Sequence, residues 1–106
     1  GQAAGQAAGP GAASIWEAEG RTLVDVRTPE EFAAGHVPGS VNAPVQDLEA
    51  VARAVGAPDA PAVVFCARGS RAERAVQDLR RRGYTRVING GGAEDVARRL
   101  RVGLVR

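Results

Sequence analysis

The residues with the clearest potential for chemistry lie in the segment VVFCARGSRA, which begins at position 63. Cys66, the only cysteine in the chain, ends an apolar run, and Arg71 follows five positions later. A cysteine at the end of a strand is often a small buried hydrophobe. A thiol in a loop can instead be a nucleophile when its surroundings stabilise the thiolate. The neighbouring residues must distinguish these two interpretations.

The residues that follow Cys66 favour the nucleophile. Gly69 allows a short loop to take a left-handed conformation, so that backbone N–H groups can turn toward the sulfur. A helix predicted to begin at Ser70 adds the positive end of its dipole, and Arg68 and Arg71 add two positive charges. Each effect lowers the pKa of a thiol. We therefore predict a reactive thiolate in a cradle that could also hold an oxyanion.

The elements that must position this loop follow from the hydrophobic pattern. Short apolar runs rich in β-branched residues predict strands over residues 22–26, 41–43, 62–65 and 86–89. Helical spacing and capping residues predict helices over residues 29–34, 47–55, 70–82 and 93–100. Strands that alternate with helices predict an α/β fold, in which a parallel sheet carries helices on both faces. The carboxyl edge of such a sheet is where ligands bind, and Cys66 lies there.

Two local signals refine this outline. Thr28 can cap a helix whose first residue is Pro29, and Glu31, three positions after the cap, completes a capping box. Residues 90–92, GGG, are predicted to form a tight turn beside the cysteine loop. A phosphate-binding loop is disfavoured because no Lys-Ser or Lys-Thr pair follows the glycines.

Composition limits the possible classes of function. The chain has 106 residues, 44% of them hydrophobic, which is typical of one small globular domain. Its net charge is +2 and its fourteen basic residues are all Arg, interleaved with acids, so nucleic acid is not an expected partner. A single cysteine excludes an internal disulfide and a multi-cysteine zinc site. No apolar run is long enough to cross a membrane.

The first thirteen residues differ from the rest of the chain. They read GQAAGQAAGPGAA, with an imperfect GQAA repeat and only small or polar residues. We predict that residues 1–13 are a flexible leader and that residues 14–106 form the folded domain. The absence of an initial Met suggests a trimmed or processed form, so the lack of a visible signal peptide carries little information.

Three segments carry a resemblance to a known family. LVDVRTPEEFAAGHVPGSVNAP, CARGSR and GYTRVINGGG, in this order and at this spacing, resemble the single-domain rhodanese family of sulfurtransferases. The resemblance extends over about residues 14–100 and implies a rhodanese-like fold, with a central parallel sheet of about five strands. The ending looks most like that of small stand-alone members, several of which are periplasmic. The compartment, periplasm or cytoplasm of a bacterial-type soluble protein, stays open.

The resemblance also implies a mechanism and a set of site residues. Cys66 would attack the outer sulfur of a small anionic donor, thiosulfate by default or mercaptopyruvate as the alternative, and a thiol or cyanide would then remove that sulfur. Arg68 would attract the sulfonate and Arg71 would hold the loop. No cofactor or metal is implied. The predicted substrate-binding residues are the five that follow the cysteine, Ala67, Arg68, Gly69, Ser70 and Arg71.

Three further residues invite a role. Asp25 and Arg27 flank the end of the first strand, and we interpret them first as structural supports of the fold and next as supports of the residues that surround Cys66. His36 is the only histidine. Local hydrogen bonding explains His36 better than catalysis does, because the implied mechanism needs no base.

Two alternatives to sulfur transfer to a small acceptor stay open at this point. Rhodanese-like phosphatases and arsenate reductases carry a Cys-x5-Arg loop, whereas here Arg71 is the fifth residue after Cys66 and Ala72 is the sixth. The shorter loop favours a sulfur atom over a phosphate group. The second alternative is a persulfide carrier that binds a protein sulfur acceptor.

Overall fold

The computed structural model describes residues 11–106. The first ten residues of the expected leader lie outside that range, so the flexibility of the leader stays a prediction. In chain order the elements are α1 Gly11–Trp16, β1 Thr22–Asp25, α2 Pro29–Ala34, β2 Val41–Asn42, α3 Leu48–Val55, β3 Ala62–Cys66, α4 Ser70–Arg81, β4 Val87–Gly92 and α5 Ala93–Leu100.

The strands form one parallel sheet in the order β2-β1-β3-β4. The predicted α/β architecture is confirmed, but the described residues contribute four strands rather than about five. The segment before β1 is helical, and the chain after α5 makes only a single antiparallel bridge, between Val105 and His36. The C-terminal segment therefore touches the turn after α2 without joining the sheet.

Strand β3 runs through the centre of the molecule, and all five of its residues are buried. Because successive side chains of a strand point to opposite faces, Val64 and Cys66 join one apolar cluster with residues of α3 and α4. Val63 and Phe65 join a second cluster with residues of α1 and α5. The sheet is thus covered by helices on both faces, as the alternating pattern predicts.

Helix boundaries follow the local signals closely. The predicted capping box at α2 is present, because Glu31 donates its backbone N–H to Thr28 Oγ1 at 3.1 Å and accepts the Thr28 N–H at 2.9 Å. Helix α3 begins at Leu48 with Asp47 as its cap. Helix α4 ends at Arg81, one residue before the predicted end.

The prediction of a turn at residues 90–92 is wrong, because strand β4 continues through all three glycines. Val64 pairs with Asn89 and Cys66 pairs with Gly92, so β4 holds one more residue than β3 over this interval, which is a β-bulge. A Cβ atom at Gly92 would lie 2.3 Å from the carbonyl oxygen of Ala67. Glycine is needed here because the strand runs directly against the cysteine loop.

Candidate active site

Cys66 is the last residue of β3, and only 1% of its surface is exposed. Its sulfur faces the start of α4. The backbone N–H of Gly69 donates to Sγ at 3.0 Å, and that of Ala72 donates to Sγ at 3.4 Å. The first turn of α4 and the loop before it thus form a cradle of N–H groups around the thiol.

This cradle changes the acidity of the thiol. Burial raises the pKa of Cys66, but the backbone N–H groups of Ala72, Arg68, Gly69 and Arg71 oppose burial, and together they bring the pKa below its ordinary value of 9.0. The donors favour the thiolate because an anion accepts a hydrogen bond more strongly than a neutral thiol does. The site can therefore supply a nucleophile without a neighbouring base.

Gly69 gives the loop the shape that this cradle requires. Its φ of +113° lies in the region that residues with a Cβ avoid. A Cβ at this position would also lie 3.4 Å from the Cα of Gly91 in β4. The loop therefore turns sharply between the strand and the helix while it packs against the neighbouring strand.

Arg71 is fixed by a contact that sequence reasoning missed. Its guanidinium makes a bidentate ion pair with Glu31 of α2, with Nη1 2.7 Å from Oε1 and Nη2 3.0 Å from Oε2. Hydrogen bonds from Arg71, and from the Thr28 backbone, lower the pKa of Glu31 from 4.5 to about 2. The pKa of Arg71 is raised, first by Glu31 and further by the negative charge of Cys66. Arg71 thus links the cysteine loop to the capping box of α2.

Asp25 and Arg27 form a buried ion pair at the carboxyl edge of β1. Arg27 Nη2 lies 2.8 Å from Asp25 Oδ2, and Arg27 Nε lies 3.0 Å from each of the two carboxylate oxygens of Asp25. The same Nη2 donates to the carbonyl oxygen of Gly35 at 2.8 Å. The pair ties β1 to the end of α2, a geometry that suits the supporting role assigned to it from the sequence.

Arg68 and Ala67 are exposed and line a cleft of about 360 Å³. The side chain of Arg68 makes no hydrogen bond or ion pair within residues 11–106. The cleft is completed by Arg27, by residues of α5 and by the C-terminal segment, namely Ala93, Glu94, Asp95, Arg98 and Leu104. The free guanidinium of Arg68 is available to an anion that enters this cleft.

His36 lies apart from the thiol. Its ring stacks on Phe32 with the ring centroids 3.9 Å apart, and Nδ1 is 3.0 Å from the Phe32 carbonyl oxygen. The backbone of His36 pairs with Val105. None of these contacts reaches Cys66, so local bonding accounts for the histidine, as the sequence suggested.

The residues predicted to form or support the site fall into two groups. Cys66 and the five residues after it form one continuous loop and helix start, and Asp25 with Arg27 form a separate supporting pair. Sequence reasoning missed Ala72, whose N–H reaches the sulfur, and Glu31 as the partner of Arg71. It also missed Asn89, whose side chain binds the loop at Gly69. No local signal marks the contact of Glu31 with Arg71 or that of Asn89 with Gly69, because each joins distant parts of the chain.

Comparison with known proteins agrees with this geometry. Residues 12–97 match the rhodanese-like domain. This chain belongs to the rhodanese family. The resemblance and the fold class inferred from the sequence are thereby confirmed.

Individual relatives of this rhodanese domain are named for sulfur transfer. The Escherichia coli thiosulfate sulfurtransferase PspE is 37% identical over 75 residues, which are 70% of this chain and 72% of that protein. The human thiosulfate:glutathione sulfurtransferase is 40% identical over 90 residues and covers 72% of this chain and 78% of its own length. A solved structure of a rhodanese with anions from E. coli is 33% identical, has a TM-score of 0.72 and covers 81% of this chain and 98% of its own. Sulfurtransferase activity is supported at the level of the family.

Two kinds of feature are absent from residues 11–106. No group of His, Cys, Asp and Glu side chains in that range is arranged to hold a metal ion. No helix in the same range has the length and apolar character to cross a membrane.

Proposed function

We propose that this rhodanese domain moves a sulfane sulfur from thiosulfate to cyanide or a thiol through a persulfide on Cys66. The Cys66 thiolate attacks the outer sulfur of thiosulfate. The S–S bond of thiosulfate breaks, and sulfite leaves with the electron pair. The acceptor then attacks the outer sulfur of the persulfide, and Sγ leaves as thiolate, so that the enzyme is restored in a two-step cycle.

The observation that carries this proposal is the pair of backbone N–H groups on the sulfur of Cys66, at 3.0 Å from Gly69 and 3.4 Å from Ala72. Such donors stabilise negative charge on Sγ, which is the thiolate that attacks in the first step and the thiolate that leaves in the second. They also remove the need for a histidine base. A buried cysteine with only apolar neighbours would have none of these donors.

Arg68 is proposed to attract the sulfonate end of the donor. It is exposed on the cleft and makes no ion pair with another part of residues 11–106, whereas Arg71 is already held by Glu31. An arginine without a partner can bind an oxyanion without first breaking an existing contact. The proposed division is therefore that Arg68 binds substrate and Arg71 holds the loop.

The engagement of Arg71 also bears on the phosphatase alternative. Phosphate recognition favours a guanidinium that can present two donors to the bound oxyanion. Here both terminal nitrogens of Arg71 are committed to Glu31. This geometry favours sulfur transfer, and we expect no appreciable hydrolysis of an aryl phosphate.

Mass spectrometry after incubation with thiosulfate tests the proposed function. The intact protein should gain the mass of one sulfur atom, and cyanide should remove that mass with release of thiocyanate. Cys66→Ala should show no gain, and Arg68→Ala should gain the sulfur more slowly at low thiosulfate. Absence of any gain with thiosulfate or mercaptopyruvate would reject the proposal.

A protein acceptor is the alternative to a small one. The rate of persulfide discharge can be compared between cyanide, a small thiol and a candidate acceptor protein that presents a cysteine. If small acceptors discharge the persulfide at least as fast as the protein does, the result supports an enzyme that uses a small acceptor. Discharge by the protein alone supports a carrier.

A further inference from the structure

Asn89 lies in strand β4, outside the cysteine loop, yet its side chain joins three parts of the site. Nδ2 donates to the carbonyl oxygen of Gly69 at 3.0 Å and to Glu73 Oε1 of α4 at 3.1 Å. Oδ1 accepts the backbone N–H of Gly91 at 2.8 Å. Both donor hydrogens of the amide are thus committed, one to the loop and one to the helix that follows it.

The bulge in β4 brings Asn89 to this position. The extra residue between Asn89 and Gly92 leaves the N–H of Gly91 turned toward the Asn89 side chain. The backbone of Gly91 then approaches Gly69, where a Cβ would come within 3.4 Å of the Gly91 Cα. A regular strand would not bring this amide and the loop together in the same way.

Gly69 is the point at which the orientation of the cradle is decided. The two N–H groups that reach the sulfur are those of Gly69 itself and of Ala72. The carbonyl of Gly69 therefore lies between these two donors along the chain. Its φ of +113° is a conformation that a glycine can leave easily. Its carbonyl is held from two sides, by the N–H of Glu73 at 2.8 Å and by Asn89 at 3.0 Å.

We propose that Asn89 is a positioning residue for Cys66, which holds the Gly69 carbonyl so that the N–H groups of Gly69 and Ala72 stay directed at the sulfur. Asn89 acts through the loop, since its own contacts are with Gly69, Glu73 and Gly91 rather than with Sγ. The inference depends on the proposed role of Cys66 as the nucleophile.

The test measures the thiol pKa of Cys66 in Asn89→Ala, from the pH dependence of thiolate absorbance and of alkylation by iodoacetamide. A looser loop weakens the donors to the thiolate, so the pKa should rise by about one unit, which is about tenfold less thiolate at a pH below the pKa. Both measurements need no sulfur donor. A failure of sulfur transfer is therefore separate from a failure of this inference.

Asn42→Ala is the matched control. Asn42 is also half-buried, and its Nδ2 donates to two backbone carbonyls, those of Asp25 and Arg27, at 3.0 Å each. Its removal should lower thermal stability and leave the pKa of Cys66 unchanged. An equal rise in both variants would show that the effect is general loosening and would overturn the proposal.

Asn89→Ser provides a second variant in case Asn89→Ala fails to fold. A serine hydroxyl can still accept the N–H of Gly91 and satisfy the bulge, but the side chain is too short to reach the Gly69 carbonyl. We expect near wild-type stability with a raised thiol pKa. A wild-type pKa in folded Asn89→Ser or Asn89→Ala would overturn the positioning role.

Discussion

At the scale of single residues, Cys66 is deeply buried and yet has a lowered thiol pKa, although burial by itself raises the pKa of a thiol. Burial alone disfavours the thiolate, whereas the backbone N–H groups around the sulfur favour it. The donors come from a loop and a helix start rather than from charged side chains. Such donors stay in place when the negative charge moves from Sγ of the thiolate to the outer sulfur of the persulfide and back.

The lowered pKa predicts how the reactivity of Cys66 depends on pH. The rate of alkylation of the folded protein should rise with a midpoint below 9.0, and the urea-unfolded protein should titrate at the ordinary value. Because the folded pKa is the lower one, the thiolate stabilises the fold fully above the unfolded pKa, and that stabilisation is lost as pH falls through the folded pKa. A folded midpoint at or above 9.0 would contradict the cradle.

Glu31→Gln separates the two functions of Glu31. Glutamine can still complete the capping box, but it carries no charge for Arg71. The pair is about one-third exposed on each side, so we expect a loss of up to about 1 kcal/mol in the free energy of unfolding. Urea denaturation near pH 7 measures this loss, with Glu30→Gln as the control in the same helical turn.

The lowered pKa of Glu31 also predicts the pH range in which Glu31→Gln is less stable than the wild type. The pKa of Glu31 is lowered from 4.5 to about 2, so its extra stability is present above about pH 4.5 and is lost as pH falls through about 2. The stability curves of the wild type and Glu31→Gln should therefore converge in acid. Curves that stay parallel from neutral pH to pH 2 would show that the stability difference does not depend on the charge of Glu31.

At the scale of elements, the site is made by the meeting of β3, α4 and the bulged end of β4. Gly92 lets β4 run against the loop, because a Cβ there would lie 2.3 Å from the carbonyl oxygen of Ala67. Gly90 instead faces the core, where a Cβ would lie 2.6 Å from Val63 Cγ1. The triglycine segment therefore packs on the cysteine loop at its end and on the core at its start, rather than forming a turn.

Gly92→Ala tests this packing. Its Cβ would lie 2.3 Å from a backbone oxygen and 3.1 Å from the adjacent carbonyl carbon, so the loop or the strand must shift. We expect a cost of about 1–3 kcal/mol in the free energy of unfolding, as for other overpacked sites, together with slower persulfide formation. Gly103→Ala, where the added Cβ meets no atom within 4 Å, should change neither quantity.

At the scale of the whole molecule, the two apolar clusters share strand β3 and therefore depend on each other. Phe65 belongs to the cluster on one face of the sheet, and Leu79 belongs to the cluster on the other. Both side chains are fully buried. In a domain of this size, a shared strand favours a single cooperative unfolding transition.

Phe65→Ala and Leu79→Ala test this cooperativity. Each should lower the free energy of unfolding, by about 3–5 kcal/mol for Phe65 and about 2–5 kcal/mol for Leu79. In each variant the far-ultraviolet circular dichroism and the Trp16 fluorescence should report one coincident transition. Two separated transitions would show that the faces of the sheet unfold independently.

The sequence by itself determined the features that depend on neighbours in the chain. The capping box of α2, the start of α4 after Gly69 and the alternation that makes a parallel sheet are all encoded within a few positions of one another. The prediction of Cys66 as the end of a strand at the carboxyl edge rests on the same local signals.

Only the tertiary structure decided the contacts that hold this loop in shape. Glu31 and Arg71 are 40 positions apart, and Asn89 and Gly69 are 20 apart. The triglycine segment lies in the sheet and does not form a turn. Sequence analysis could not predict this, because the pairing depends on the register between β3 and β4, which no local pattern contains. Local propensity is set by adjacent residues, whereas register and long-range polar contacts are set by how the buried faces of distant segments pack.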